Sequence, residues 1–314
     1  MAALPRLFLG VDGGASSTKA VIGDGTGRIL SRATGAPCDR ATLGEGEARL
    51  EAMARELVER ALEAAGQTAG SGFEAACFGM SGGAADKRAI LAAVVRTDRI
   101  EVINDAEAAL EGATCGGPGV VVIAGTGSIA LARDVAGNTV RSGGWGYVFG
   151  DEGGAFDIVR RALREALAAE EGWGAPTSLR RMLLRETGAG SANEALHRFY
   201  DPDWPRDRIA SLAPGVDRAA GKGDPAAARV LRVSGEALGT LALQAVQALP
   251  AASENPAVHP CGGVFGSVAV RNAFAARVRS GGCSLADPVH DAATGALLRA
   301  YRTRGLEVTV GGPV

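Results

Sequence analysis

The chain has 314 residues, 46% hydrophobic and 22% charged, with 33 basic against 35 acidic side chains and a formal net charge of −2. That length can bury a sizeable core and suggests two domains, while the even charge balance excludes a basic nucleic-acid footprint and a polybasic membrane anchor. The longest apolar runs, such as residues 119–124, are strand-length and far too short to cross a bilayer.

The amino terminus, MAALPRLFLG, carries no signal-peptide pattern, so the sequence reads as a soluble cytoplasmic protein. Residues 6–11 are apolar and strand-like and end at the turn Asp12-Gly13-Gly14-Ala15-Ser16-Ser17. Residues 18–23 and 28–33 read as two more strands joined by Asp24-Gly25-Thr26-Gly27, so the chain opens as an antiparallel meander. Residues 45–65 show helical spacing, with Leu50, Met53, Ala54, Leu57, Val58, Ala61 and Leu62 on one stripe. A strand at 73–78, a helix at 86–95, a strand at 100–103 ending at Asn104-Asp105, and a short helix at 107–112 follow.

The pattern then restarts. Residues 120–124 form a fully apolar strand that enters Gly125-Thr126-Gly127-Ser128, with further strands at 129–134 and 139–142. Strand, glycine turn, strand thus occurs twice, implying two related lobes that each open with a clasp suited to phosphate. A helix at 155–169, an inserted stretch of helices and loops at 176–224, and a long helix at 226–249 follow. A strand at 257–261 and helices at 268–278 and 292–301 finish the chain. The expected division is residues 1–115 plus 288–314 for the first lobe and 116–287 for the second. The fold class is α/β.

Four glycine-rich segments carry the candidate chemistry. Small residues at Gly13, Gly14 and Ser16 let backbone N–H groups and hydroxyls approach phosphate oxygens, and Asp12 beside them suits a hydrated Mg²⁺. Gly125, Thr126 and Gly127 offer the same chemistry in the second lobe. Neither turn is a Walker loop, because no lysine follows at the required place, and neither is a dinucleotide fingerprint. Gly262 and Gly263 follow a strand, where bare backbone lets a flat adenine or ribose lie close. The fourth segment, GGWGYVFGDEGGAFDI at 143–158, puts Asp151 and Glu152 just ahead of a helix, as caps or as acceptors for sugar hydroxyls. Asp105, at a strand end, is placed as a general base for a hydroxyl attacking a γ-phosphate. The alternative for Asp105 is a plain helix cap. The five cysteines, at 38, 77, 115, 261 and 283, form no CxxC pair and read mostly as small buried thiols.

These motifs resemble the actin-like ATPase superfamily, and within it the group containing N-acetylglucosamine kinase and the BadF/BadG/BcrA/BcrD-type ATPases. The matching pieces are VDGGASSTK at Val11, NDAEAAL at Asn104, VVIAGTGSIA at Val121, GGWGYVFGDEGGAFDI at Gly143 and CGGVFGS at Cys261, and they span the chain in order. The resemblance implies two ribonuclease-H-like lobes with a cleft between them, ATP and Mg²⁺ as cofactors, and transfer of phosphate to the 6-hydroxyl of a hexosamine. It also implies a homodimer that binds neither nucleic acid nor membrane. Under it, Asp105 is the base and Asp12 the acid acting through Mg²⁺. Gly144, Trp145 and Asp151 become sugar contacts, and Gly262 with Gly263 the adenosine segment. Where the family usually has a sugar-binding asparagine, the loop GAPCDRATLG has Asp39, an acceptor without a donor. Two carboxylates, Asp39 and Asp151, on one ligand would favour the free amine of glucosamine. A glucosamine kinase, an ATPase that drives a partner protein and a non-catalytic sugar sensor remain alternatives. The cysteine pair of the iron–sulfur activators and the zinc cluster of glucokinase-type relatives have no counterpart here.

Overall fold

A computed structural model describes residues 6–14, 17–38, 45–81, 87–251 and 253–311. The chain divides into two compact units, Met1–Gly117 with Pro288–Val314, and Pro118–Asp287.

The first unit is built on β1 (Leu7–Gly13), β2 (Thr18–Asp24), β3 (Ile29–Gly35), β4 (Ala75–Met80) and β5 (Ile100–Asn104), in the order β3-β2-β1-β4-β5. The first three strands form the expected antiparallel meander, and β4 and β5 add in parallel. Side chains alternate across the pleat. Leu7, Leu9 and Val11 face Leu50, Leu57 and Leu62 of helix α1 (Glu45–Ala64). Phe8 and Val21 face the opposite way, onto Leu297 and Tyr301 of the final helix, α11 (Ala292–Arg302). Phe8 and Tyr301 stack with ring centroids 4.3 Å apart, and the Tyr301 hydroxyl donates to the Asp24 carbonyl at 2.6 Å. Burying each such large side chain contributes roughly 1.5–3 kcal/mol, which ties the carboxyl-terminal helix to the amino-terminal sheet. Helices α2 (Arg88–Val94) and α3 (Asp105–Thr114) complete this unit among the described residues.

The second unit repeats the plan. Strands β6 (Gly119–Ala124), β7 (Ser128–Arg133), β8 (Thr139–Gly143), β9 (Ala257–Cys261) and β10 (Ser284–Leu285) are ordered β10-β9-β6-β7-β8. Helices α4 (Ala155–Glu170) and α9 (Pro225–Gln247) share one apolar core with α10 (Val268–Ser280). The inserted stretch folds as α5 (Ser178–Thr187), α6 (Ala192–His197), α7 (Arg206–Ala210) and α8 (Ala213–Gly221) against the same core.

Several elements differ from the sequence reading; β4, for one, runs Ala75–Met80 rather than 73–78. β1 runs on through Asp12 and Gly13, because Asp12 still pairs with Lys19 and Gly13 with Thr18. α3 starts at Asp105 rather than 107, because Asn104 is its cap. β10 has no signal in the sequence, since two residues carry no periodicity to read. Cys38, Cys77 and Cys283 are buried as expected, whereas Cys115 is exposed. No helix among the described residues is long and apolar enough to cross a membrane.

Candidate active site

In the first unit, three parallel strands end side by side, with Asp12 opposite Gly79 and Met80 opposite Asn104. Asp12 and Asp105 therefore share the carboxyl edge of this sheet, where α/β sheets bind ligands. Asn104 and Glu107 make a full capping box, accepting from Ala106 N at 3.0 Å and from Asn104 N at 2.9 Å. Asn104 thus does the capping, which leaves Asp105 at the first position of α3 with one oxygen on Ala106 N at 2.9 Å. Burial pushes the Asp12 carboxyl up to about 7, with Asp105 and Asp291 adding to the rise and Lys19 opposing it. Burial also raises Asp105, against the hydrogen bond from Ala106 N and the charge of Lys87.

Lys87 belongs to none of the sequence motifs, and it is only 6% exposed. Its ammonium donates to the Ser81 carbonyl. Ser81 in turn donates to the Gly13 carbonyl through N at 3.2 Å and Oγ at 3.3 Å. A buried cation is thus built into the edge that carries both acids. No sequence signal marks it, since a lone lysine has no motif. Around the first turn, Thr18 Oγ1 is buried without a partner among the described residues. A phosphate oxygen is the kind of acceptor that would satisfy it. Ser16 and Asp39 lie outside the described residues.

In the second unit, β6 and β9 are parallel, with Ile123 opposite Cys261. Their ends bring the turn at Gly125, Thr126 and Gly127 beside Gly262 and Gly263. Gly262 has φ +101°, and a methyl there would overlap the Ala124 carbonyl; only glycine fits. Ala155 N and Phe156 N, at the start of α4, donate to the Gly125 and Thr126 carbonyls at 2.8 and 3.2 Å. Beside the turn, the backbone at Gly125 and at Gly263 faces open space. The structure therefore brings together the two glycine turns that the sequence places far apart.

The 143–158 segment wraps the same turn. Gly144 N donates to the Ser128 carbonyl at 3.1 Å, and Ser128 Oγ to the Glu152 carbonyl at 2.7 Å. Trp145 is 65% exposed, with Arg141 stacked 4.3 Å from its ring centroid. Asp151 is 6% exposed and has φ +63°, a left-handed conformation that is uncommon outside glycine. Its Oδ1 accepts from Ser128 N at 3.4 Å, and its Oδ2 is ion-paired to Arg206 of α7. Asp151 is therefore not the unpaired carboxylate that a preference for glucosamine requires. That preference loses one of its two charges, because the partner lies in an insertion whose packing the sequence does not reveal.

Two sheets of one order, each with a glycine turn leaving its central strand, define the class of actin-like ATPases. The chain belongs to the BadF/BadG/BcrA/BcrD ATPase family, whose profile matches residues 9–300. An N-acetylmuramic acid/N-acetylglucosamine kinase of Clostridium acetobutylicum is 29% identical over 268 residues, 84% of this chain and 87% of that protein. An N-acetyl-D-glucosamine kinase of Dictyostelium discoideum is 32% identical over 241 residues, 70% of this chain and 72% of its own. A solved structure from Chromobacterium violaceum, provisionally described as an N-acetylglucosamine kinase, superposes with a TM-score of 0.78 at 29% identity. That match covers 94% of this chain and 98% of the other.

Proposed function

We propose that the protein is an ATP-dependent amino-sugar kinase that phosphorylates N-acetylglucosamine, or a related hexosamine, at its 6-hydroxyl. The observation that carries the reading is Asp105. It is a carboxylate whose basicity burial raises, at a strand end and freed from capping by Asn104. The relatives that match most of the chain supply the substrate class.

Asp105 accepts the proton of the 6-hydroxyl as that oxygen attacks the γ-phosphorus, and a carboxylate whose proton affinity is raised suits this task. In the first unit, the backbone around Gly13 and Gly14, with the Thr18 hydroxyl, takes phosphate oxygens. Gly125, Thr126 and Gly127 take them in the second, and Gly262 with Gly263 accommodates the adenosine. Trp145 and Asp151 hold the sugar, through the indole face and a carboxylate acceptor. Mg²⁺ fits as a nucleotide-borne ion. Among the described residues no group of three ligating side chains forms a protein cage, and Mg²⁺ asks for only one or two carboxylates plus phosphate and water. Asp12 is the residue that would hold it, and the ion would offset phosphate charge. Because the Asp151–Arg206 pair is neutral overall, a neutral acetamido sugar meets no uncompensated charge there.

Steady-state ATP turnover with and without a panel of N-acetylglucosamine, glucosamine, N-acetylmuramic acid and glucose tests the reading. Turnover that depends on an N-acetylated hexosamine and yields its 6-phosphate is expected. ATP hydrolysis indifferent to every sugar would instead favour an ATPase that drives a partner protein.

A further inference from the structure

The insertion between α4 and α9 carries a side chain that joins three parts of the second unit's site. Arg206 is the first residue of α7, 55 positions from Asp151 in the chain. Its Nη2 is ion-paired to Asp151 Oδ2, and its guanidinium carbon lies 5.4 Å from the centroid of the Tyr147 ring. Both partners press against the phosphate turn, since a methyl at Gly127 would overlap Asp151 Oδ2 and Arg206 Nη2 together.

We propose that Arg206 is a positioning residue for sugar recognition, which fixes the Asp151 carboxylate in one orientation as an acceptor for a sugar hydroxyl. The inference rests on the reading of Asp151 as a sugar contact. A carboxylate on a two-torsion side chain can turn, and each orientation it loses on binding costs entropy. The contact from Ser128 N is long at 3.4 Å, so it restrains the carboxylate weakly. The charge-assisted contact from Arg206 is the stronger restraint. Arg206 is itself held by its place on α7 and by the Tyr147 face. One lone pair on each Asp151 oxygen remains for a ligand after both contacts are made. The insertion therefore acts on sugar affinity through one ion pair.

Arg206→Ala, Arg206→Lys, Asp151→Asn and the double variant Arg206→Ala/Asp151→Asn test this by steady-state kinetics with N-acetylglucosamine and ATP varied separately. Arg206→Ala is expected to raise the sugar KM by about ten- to hundredfold while the ATP KM stays within about twofold of wild type. The double variant should cost no more than the larger single change, because the two residues act as one unit. Should Arg206→Ala lose its fold, Arg206→Lys carries the test. It keeps the charge and loses the planar group on Tyr147, with a sugar KM raised about fivefold expected and an unchanged one overturning the proposal. An unchanged sugar KM in Arg206→Ala, an ATP KM that rises in step with it, or additive costs in the double variant would each overturn it. If Asp151→Asn leaves the sugar KM unchanged, the sugar-contact reading falls and this inference with it. If Asp151→Asn raises it and Arg206→Ala does not, only the role of Arg206 falls.

Discussion

The two units use one sheet order and treat their acids in opposite ways. In the first, Asp12 and Asp105 sit at neighbouring strand ends with proton affinities raised by burial, and the nearest cations, Lys19 and Lys87, offset this only in part. In the second, Asp151 is buried more deeply than either and is ion-paired to an arginine. Under the proposed roles, a carboxylate that takes a proton or meets a cation is left without an ion-pair partner, at a cost in folding energy, and one that only presents an acceptor is ion-paired. The scaffold is duplicated; its charges are not.

The harshest way to break this comparison is Asp105→Asn, which keeps the shape and the contact to Ala106 N through its amide oxygen but removes the base. Sugar-dependent turnover is expected to fall roughly 10²- to 10⁴-fold, with ATP affinity retained in a direct titration. Turnover near wild type would return Asp105 to an ordinary helix residue.

Gly262→Ala tests the second unit's side with a backbone change alone. At φ +101°, against the Ala124 carbonyl, the added methyl is strained by about 1–3 kcal/mol and displaces the segment from β6. An ATP KM raised about tenfold, with a lower Tm, is the expected result, and the roughly 1.4 kcal/mol that tenfold represents lies within that strain. An unaltered ATP KM would detach this glycine from the nucleotide.

Lys87→Met sharpens the contrast between unsatisfied and neutralised acids. Without the ammonium, the Asp105 pKa rises further, so the acid limb of kcat/KM moves to higher pH. Activity on the acid side of the profile should fall, and the deficit should shrink as pH rises past the shifted limb. Lys87→Arg should restore most of the profile. A loss that is equal at every pH would make Lys87 a packing residue only.

How much of this is legible in the sequence depends on whether chemistry lies along the chain or across it. The strand–turn–strand openings, the helical stripe of α1 and the glycine turns are local patterns, and the antiparallel half of each sheet follows from them. The end of β1 is easily misplaced at Asp12 because a turn-forming Asp-Gly-Gly also fits a strand that is still paired to β2. Asn104 and Asp105 exchange capping and free roles, since either residue type can cap and only the contact to Glu107 decides. Lys87 and Arg206 are invisible for a different reason. Lys87 bonds Ser81 six residues back and Arg206 pairs with Asp151 55 residues back, and no motif spacing records either contact.

The smallest effect expected is on stability, at Asp12. Its folded pKa, about 7, lies above the ordinary carboxylate value, chiefly through burial and then through Asp105 and Asp291. The folded protein therefore holds this proton more tightly than the unfolded chain. Folding stability is lost as pH rises from about 4 to about 7, and it stays lost above. Asp12→Asn removes the charge that burial penalises, so it should stabilise the metal-free protein at pH ~8 and leave it unchanged at pH ~4. Even a fraction of the full burial penalty, about 1 kcal/mol, moves Tm by about 2 °C in a chain of this size. Added Mg²⁺ should reverse the order at the higher pH, raising the Tm of the wild type more than that of Asp12→Asn, because binding to the folded state alone is stabilising. Thermal unfolding at both pH values, with and without Mg²⁺, decides it. An equal gain from the substitution at both pH values would mean that Asp12 carries no buried charge to relieve, and the first unit would then be as balanced as the second.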